Sequence, residues 1–178
     1  MITEELNEIT EKVKSAFGSL NEEQLNWRAT TESWSVGQCL EHLIKTNELF
    51  YAEFDKIAGG GRQNSFWESW SPFTKIGGNF LVKTLKADEK KLKAPTQVVV
   101  PPSAVETEIV AKFAAHQSEL GAKIEALSGA DPEKTVLTSP FMGLMTYTLG
   151  TGLEVIVEHE KRHVRQAERV MNSDGFPR

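Results

Sequence analysis

Five consecutive residues late in the chain, His159-Glu160-Lys161-Arg162-His163, bring together side chains from which metal sites are made. On a helix, two histidines four residues apart share one face with about 6 Å of rise between them, so both imidazoles can reach one ion. The chain holds four histidines, and this single turn takes two of them. A third, His42, lies in the other strongly periodic stretch. Three imidazoles leave at least one coordination position open, which is what a catalytic metal needs.

The glutamate inside the motif adds a constraint. At about 100° per residue, Leu149, Leu153, Ile156, Val164, Ala167 and Met171 mark the inward direction of the last helix. His163 falls within about 40° of that direction and His159 roughly 80° from it, towards the same edge, while Glu160 lands near the middle of the apolar stripe. An unpaired carboxylate there is costly. Glu160 therefore needs a partner: a metal held by the flanking histidines, or one of Arg28, Arg162 and Arg165. The competing reading makes His159 and His163 ordinary, partly buried helix histidines with hydrogen-bond partners of their own.

His42 stands on the flank of its helix near Cys39 and Thr46, a position usual for a structural or exposed histidine, and the need for a third ligand singles it out. Cys39 shares that flank and reads as a small buried hydrophobe before a ligand. His116, between Ala115 and Gln117, reads as unrelated and partly exposed. The string His-Glu-x-x-His also matches the zincin proteases, in which the glutamate is a general base. A metzincin continues with Gly and a third His, but here Val164-Arg165-Gln166-Ala167 follow. The thermolysin type needs a glutamate ligand well downstream, and this sequence runs only to Arg178. The third ligand is expected upstream, and a protease is not expected.

The elements that must carry these residues are helical. Leu6, Ile9, Val13 and Phe17 place a first helix over about Thr3 to Leu20, with a further turn at Asn21 to Leu25. Ser35, with Gln38 three residues on, forms a capping box for a second helix from about Val36 to Ile57. Its buried stripe is Val36, Leu40, Leu43, Asn47, Phe50, Tyr51 and Phe54, and Gly59-Gly60-Gly61 ends it. A short helix over Thr74 to Lys86 is weakened by Gly77-Gly78. Val98 to Pro102 reads as an extended link, because proline ends it and no partner strand is visible. Ser103 caps a third long helix to about Leu127. The fourth runs from about Thr148 to Met171 after a loop containing Ser139-Pro140-Phe141-Met142-Gly143. Four long helices, two long connections and no sheet describe an all-α four-helix bundle.

Composition narrows the partners. The 178 residues fit a single domain over 1–178, large enough for a core without staples. A net charge of −5 and a pI near 5.5 argue against nucleic acid or an anionic membrane as partner. One cysteine precludes an intramolecular disulfide. The start, Met1-Ile2-Thr3-Glu4-Glu5-Leu6, has no apolar signal region, and no apolar run approaches the roughly 18 residues of a spanning helix, so a cytoplasmic protein is expected.

Two segments together resemble the DinB/YfiT-like superfamily of metal-binding four-helix bundles. Trp34-Ser35-Val36-Gly37-Gln38-Cys39-Leu40-Glu41-His42-Leu43 is similar to that family's Trp-Ser at a helix start with His-Leu eight residues after the Trp. His159-Glu160-Lys161-Arg162-His163-Val164-Arg165-Gln166 is similar to its C-terminal His-x-x-x-His with Gln three residues later. The glycine that many relatives carry between the last His and the Gln is absent here, which leaves the ligands intact and the substrate class open. The resemblance implies a bundle with long crossover connections and makes His42, His159 and His163 the metal ligands, and ligand type suggests a divalent ion, zinc or nickel. Characterised relatives include thiol S-transferases using bacillithiol or mycothiol and a thiol-dependent isomerase, and others are described only as metal-dependent hydrolases.

The function expected is therefore metal-dependent chemistry on a small-molecule substrate, thiol S-transfer or hydrolysis, with a low-molecular-weight thiol as candidate co-substrate. Glu160 is the candidate catalytic residue, orienting a histidine or taking a proton. Phe66, Trp67, Trp70 and Phe73 either wall an apolar pocket over the metal or cap the bundle end. Lysines 83, 86, 90, 91 and 93 read as a solvated charge run before an attractor of an acidic thiol. The alternative function is a non-catalytic metal- or small-ligand-binding stress-response bundle. The resemblance is compatible with a homodimer.

Overall fold

The computed structural model describes residues 2–60, 72–87, 96–141 and 145–178. Its helices are α1 (Ile2–Phe17), α2 (Glu22–Asn26), α3 (Val36–Ala58), α4 (Pro72–Ala87), α5 (Ile109–Glu125) and α6 (Leu149–Met171). A 3₁₀ turn covers Gln97–Val99, and strands β1 (Val136–Thr138) and β2 (Thr146–Thr148) precede α6. Among the described residues no helix is long and apolar enough to cross a membrane.

Each bundle helix buries a stripe set by its sequence. Leu6, Ile9, Val13 and Phe17 line the inner face of α1, the three- and four-residue spacing that keeps side chains on one side of a helix. The stripe of α3 holds Val36, Leu40, Leu43, Asn47, Phe50 and Phe54, all buried. Both bonds of its capping box are present, Gln38 N–H to Ser35 Oγ and Ser35 N–H to Gln38 Oε1, each 3.1 Å. Gly59 ends the helix and Gly60 follows at φ 68°, a backbone state glycine adopts without strain. The short α2 carries a second capping box, between Asn21 and Gln24.

α1 packs against α5 and α6, and α3 packs against the same two, so α1 and α3 occupy opposite corners of the bundle. Glu5 pairs with Lys161 and Lys12 with Glu168. The partners advance together along both helices, so α1 and α6 run parallel. Glu41–Lys112 and Asp55–Lys123 establish the same for α3 and α5. Parallel neighbours require a connection that returns the length of the bundle. Residues 59–108 supply it, with α4 inside them packed on α6 and β2.

Four expectations are corrected. α5 begins at Ile109, not after Ser103, because Val105 is committed elsewhere: its N–H and carbonyl both bond the Asn26 side chain, at 2.8 and 3.0 Å. Its own side chain fills the space over Gly37, where a Cβ would come within 2.1 Å of Val105 Cγ2. A backbone held this way cannot also form the first turn of a helix. The link at 97–102 contains a 3₁₀ turn in place of a fully extended run. The pair Gly77-Gly78 does not interrupt α4; Gly78 lets the helix approach, since a Cβ there would lie 2.6 Å from Thr151 Cγ2 and 2.9 Å from Tyr147 Cβ. A small antiparallel hairpin exists where no sheet was expected, pairing Val136 with Thr148, Leu137 with Tyr147 and Thr138 with Thr146. Leu137 and Tyr147 are fully buried, so packing sustains three-residue strands that local pattern alone does not announce.

Candidate metal centre

α3 and α6 pack directly against each other, and their facing sides bring the three histidines together. One ligand atom from each of His42, His159 and His163 lies within 4.8 Å of the other two. Ring centroids are 5.1 Å apart for His42–His159, 4.6 Å for His42–His163 and 4.6 Å for His159–His163. His42 and His163 are buried, and His159 keeps part of its surface. His42, singled out by the need for a third ligand and by the resemblance, stands with His159 and His163 in one three-histidine cluster.

The tautomer of His42 is set by its neighbour. Nδ1 stands 2.7 Å from the Val99 carbonyl oxygen, which can only accept, so Nδ1 carries the proton and Nε2 presents a lone pair. Ligating histidines commonly spend their second nitrogen in this way. Val99 is brought there by a strap along α3: Gln38 Nε2 donates to the Pro102 carbonyl at 2.7 Å and Lys45 Nζ to the Val100 carbonyl at 3.3 Å. Pro101 and Pro102 suit the strap, since their missing N–H groups exclude a regular helix.

His42 Nε2 and His159 Nε2 are 3.3 Å apart. Two nitrogens bound at 2.0–2.1 Å to a tetrahedral ion stand about 3.3–3.4 Å apart, so this pair has a spacing that a single ion can span. His159 Nδ1 is buried and has no hydrogen-bond partner among the described residues. Burial holds the His159 imidazole well below its usual protonation range, and His163, His42 and Arg162 push it the same way. Burial lowers His42 as well, against the pull of its bond to Val99. Neutral imidazoles are the form that binds metal. Trp34 covers one side, stacked on His163 at 5.6 Å and tilted over His42 at 4.7 Å between centroids.

Glu160 is where the stripe placed it, at the bundle axis, with none of its surface exposed. Its hydrogen-bond donors are amides and not an arginine: Asn47 Nδ2 donates to Oε1 at 2.7 Å and Gln117 Nε2 to Oε2 at 2.9 Å. Burial pushes the carboxyl up to about 7, against the pull of both amides. His116 is corrected from partly exposed to buried, 6% exposed. Its Nε2 lies 3.3 Å from Asn47 Nδ2 and its Nδ1 3.2 Å from Tyr51 Oη, so Asn47 donates to Nε2 and the Nδ1 proton goes to the tyrosine. Burial, then the charge of Lys112, lowers this histidine to about 4. Gln117 and His116 were missed as partners because α5 was read without its neighbours. The available signal was two adjacent polar residues falling on the buried stripe of Ile109, Phe113, Leu120 and Ile124.

Cys39 is a buried free thiol, raised to about 12 by burial, and is not part of the cluster. That agrees with its reading as a small hydrophobe. Phe66, Trp67, Trp70 and lysines 90, 91 and 93 lie outside the described residues.

A family model described as DinB superfamily matches residues 5–167. That span includes most of α1, the strap and all three clustered histidines. No match was found among curated proteins or among solved structures.

Proposed function

This chain belongs to the DinB superfamily, and from that premise we propose that His42, His159 and His163 hold one divalent ion for thiol transfer to, or hydrolysis of, a small molecule. The observation that carries the reading is the convergence of three ligand atoms within 4.8 Å, with the remaining nitrogen of His42 spent on Val99. Imidazole ligands suit zinc and nickel, and such an ion would supply the Lewis acidity that ionises a water or a thiol near neutral pH.

The protein's own groups do the rest. The Val99 carbonyl fixes the ring of His42 and keeps its Nε2 lone pair aimed at the centre. Burial favours the neutral forms of His42 and His159, and Trp34 covers one flank. Glu160 is offered by the sequence as proton acceptor or as an orienting group. With both oxygens engaged by amides, its surroundings favour the orienting role. The net charge of −5 supports small molecules over nucleic acid as partners, and a cytoplasmic homodimer is the setting this reading adopts. A low-molecular-weight thiol as co-substrate would account for chemistry without a protein nucleophile, since the one cysteine is buried.

The engagement of Glu160 also favours a second reading, a non-catalytic metal- or ligand-binding bundle, because the carboxylate nearest the histidines in sequence is not free as a base. Metal analysis of the purified protein followed by a panel of thiols with electrophilic or hydrolysable substrates separates the two. Turnover that disappears in His159→Ala supports the enzyme. Stoichiometric metal without turnover supports the binding protein. Metal content unchanged in both His42→Ala and His159→Ala overturns both.

A further inference from the structure

All four bundle helices meet at one carboxylate. Glu160 on α6 accepts from Asn47 on α3 and Gln117 on α5, and Gln117 Nε2 also reaches the Leu6 carbonyl of α1 at 3.5 Å. Every hydrogen of the two amides has a taker. Asn47 divides its pair between Glu160 Oε1 and His116 Nε2, and Gln117 divides its own between Glu160 Oε2 and Leu6 O.

We propose that this layer is a register lock, in which Asn47, Gln117 and Glu160 act as positioning residues that hold α6 against α3 at the one slide and rotation that closes the histidine cluster. The inference rests on the metal reading above. Glu160 stands between His159 and His163 in the same turn, and Asn47 lies five residues after His42 on α3. Whatever fixes Asn47 against Glu160 therefore fixes His42 against the pair.

Apolar contacts alone do not provide this. Leu43, Phe50, Ile156, Val164 and Ala167 are buried around the layer, and aliphatic cores accept alternative packings of similar energy. A hydrogen-bonded carboxylate does not. Sliding α6 by one residue turns Glu160 through about 100° and strips it of both donors, leaving a buried carboxyl and two buried amides unpartnered. Buried polar groups that specify register in helical assemblies work by this penalty. A metal centre needs its ligands held to about 0.5 Å, which is the tolerance a directional bond enforces and a greasy interface does not.

The test replaces the layer without emptying it. In Asn47→Leu/Gln117→Leu/Glu160→Leu the carboxyl goes together with both of its donors, leaving only His116 Nε2 and the Leu6 carbonyl without their amide partners, a change expected to cost far less than removing one member alone. Zinc affinity by competition with a chromophoric chelator is expected to fall about tenfold or more, with helicity and thermal midpoint retained. In the metal-free state, amide hydrogen exchange across 36–47 and 156–167 should accelerate relative to the rest of the bundle. Glu160→Gln is the conservative partner and guards against a triple variant that fails to fold. Gln117 Oε1 has no partner among the described residues, so the Gln117 amide can turn over and accept from the new side chain at the cost of its long bond to the Leu6 carbonyl. Its affinity should stay near native, whereas Glu160→Leu alone should lose it. Unchanged zinc affinity and exchange in the leucine variants overturns the lock, as does a Glu160→Gln loss equal to that of Glu160→Leu. If the unaltered protein binds no zinc, the metal reading fails separately, and the exchange measurement alone then decides the lock.

Discussion

The same two helices, α3 and α6, bury titratable groups at two neighbouring levels and treat them in opposite ways. At the histidine level, nitrogens converge without enough donors and acceptors among themselves: His42 Nε2 and His159 Nε2 face each other at 3.3 Å, and His159 Nδ1 is buried without a partner among the described residues. At the Glu160 level the donors are complete, and both carboxylate oxygens are engaged. Buried polar groups in native proteins are normally satisfied. A level whose donors are all matched from within, with only the amide oxygens Asn47 Oδ1 and Gln117 Oε1 left over among the described residues, is built to hold the fold. One left with lone pairs converging on a point is built to receive something from outside.

The largest expected effect tests the receiving level. His163→Ala should take purified protein from about one bound ion per chain towards none by elemental analysis, because two imidazoles seldom retain a divalent ion. Metal content equal to native would remove the distinction between the two levels.

The holding level is broken by Glu160→Ala. Two buried amides lose their acceptor and a void opens at the axis, so urea unfolding should show a loss of about 3 kcal/mol. A loss under about 1 kcal/mol would mean that the amides find replacements, and the layer would not be holding anything.

Acid sharpens the comparison. His116, lowered from 6.5 to about 4 in the fold, is bound by a proton more readily when unfolded. Its contribution to stability is complete above pH 6.5 and declines as pH falls towards 4, by about 3 kcal/mol at most. Glu160, raised from 4.5 to about 7, has the opposite sign and gains as pH falls from 7 to 4.5. In Glu160→Gln that compensation is absent. Thermal midpoints between pH 7.5 and 4.5 should therefore fall more steeply in the variant than in the native protein; parallel curves would contradict the coupling of the two groups to folding.

The smallest effect lies outside both levels. Gly37→Ala puts a Cβ into Val105 at the seat of the strap and should cost about 1–3 kcal/mol. If the strap positions His42 through Val99, zinc affinity should drop with it. Stability loss with affinity intact would confine the strap to a packing role.

Much of this was legible in the residues. The stripes of α1, α3 and α6 and the capping box at Ser35 follow from spacing that reads locally, since a helix face is fixed by its own period. The inward direction of Glu160 follows from the same arithmetic, and so does the shared face of His159 and His163. The delayed start of α5 was not legible, because Asn26 captures the Val105 backbone across 79 positions of sequence. Nor was the hairpin, whose strands are too short to form without Leu137 and Tyr147 burying against the bundle.

Which atoms meet was decided by tertiary structure alone. The amino-acid order dictated that two imidazoles and one carboxylate would point from α6 into the protein. It carried no information on the parallel pairing of α3 with α5 and α1 with α6, which emerges only when four apolar stripes close on a common axis. That closure delivers Asn47 and Gln117 to Glu160, and His42 to His159 and His163. Periodicity is a property of one segment, whereas a hydrogen bond or a shared ligand point depends on the distance between two.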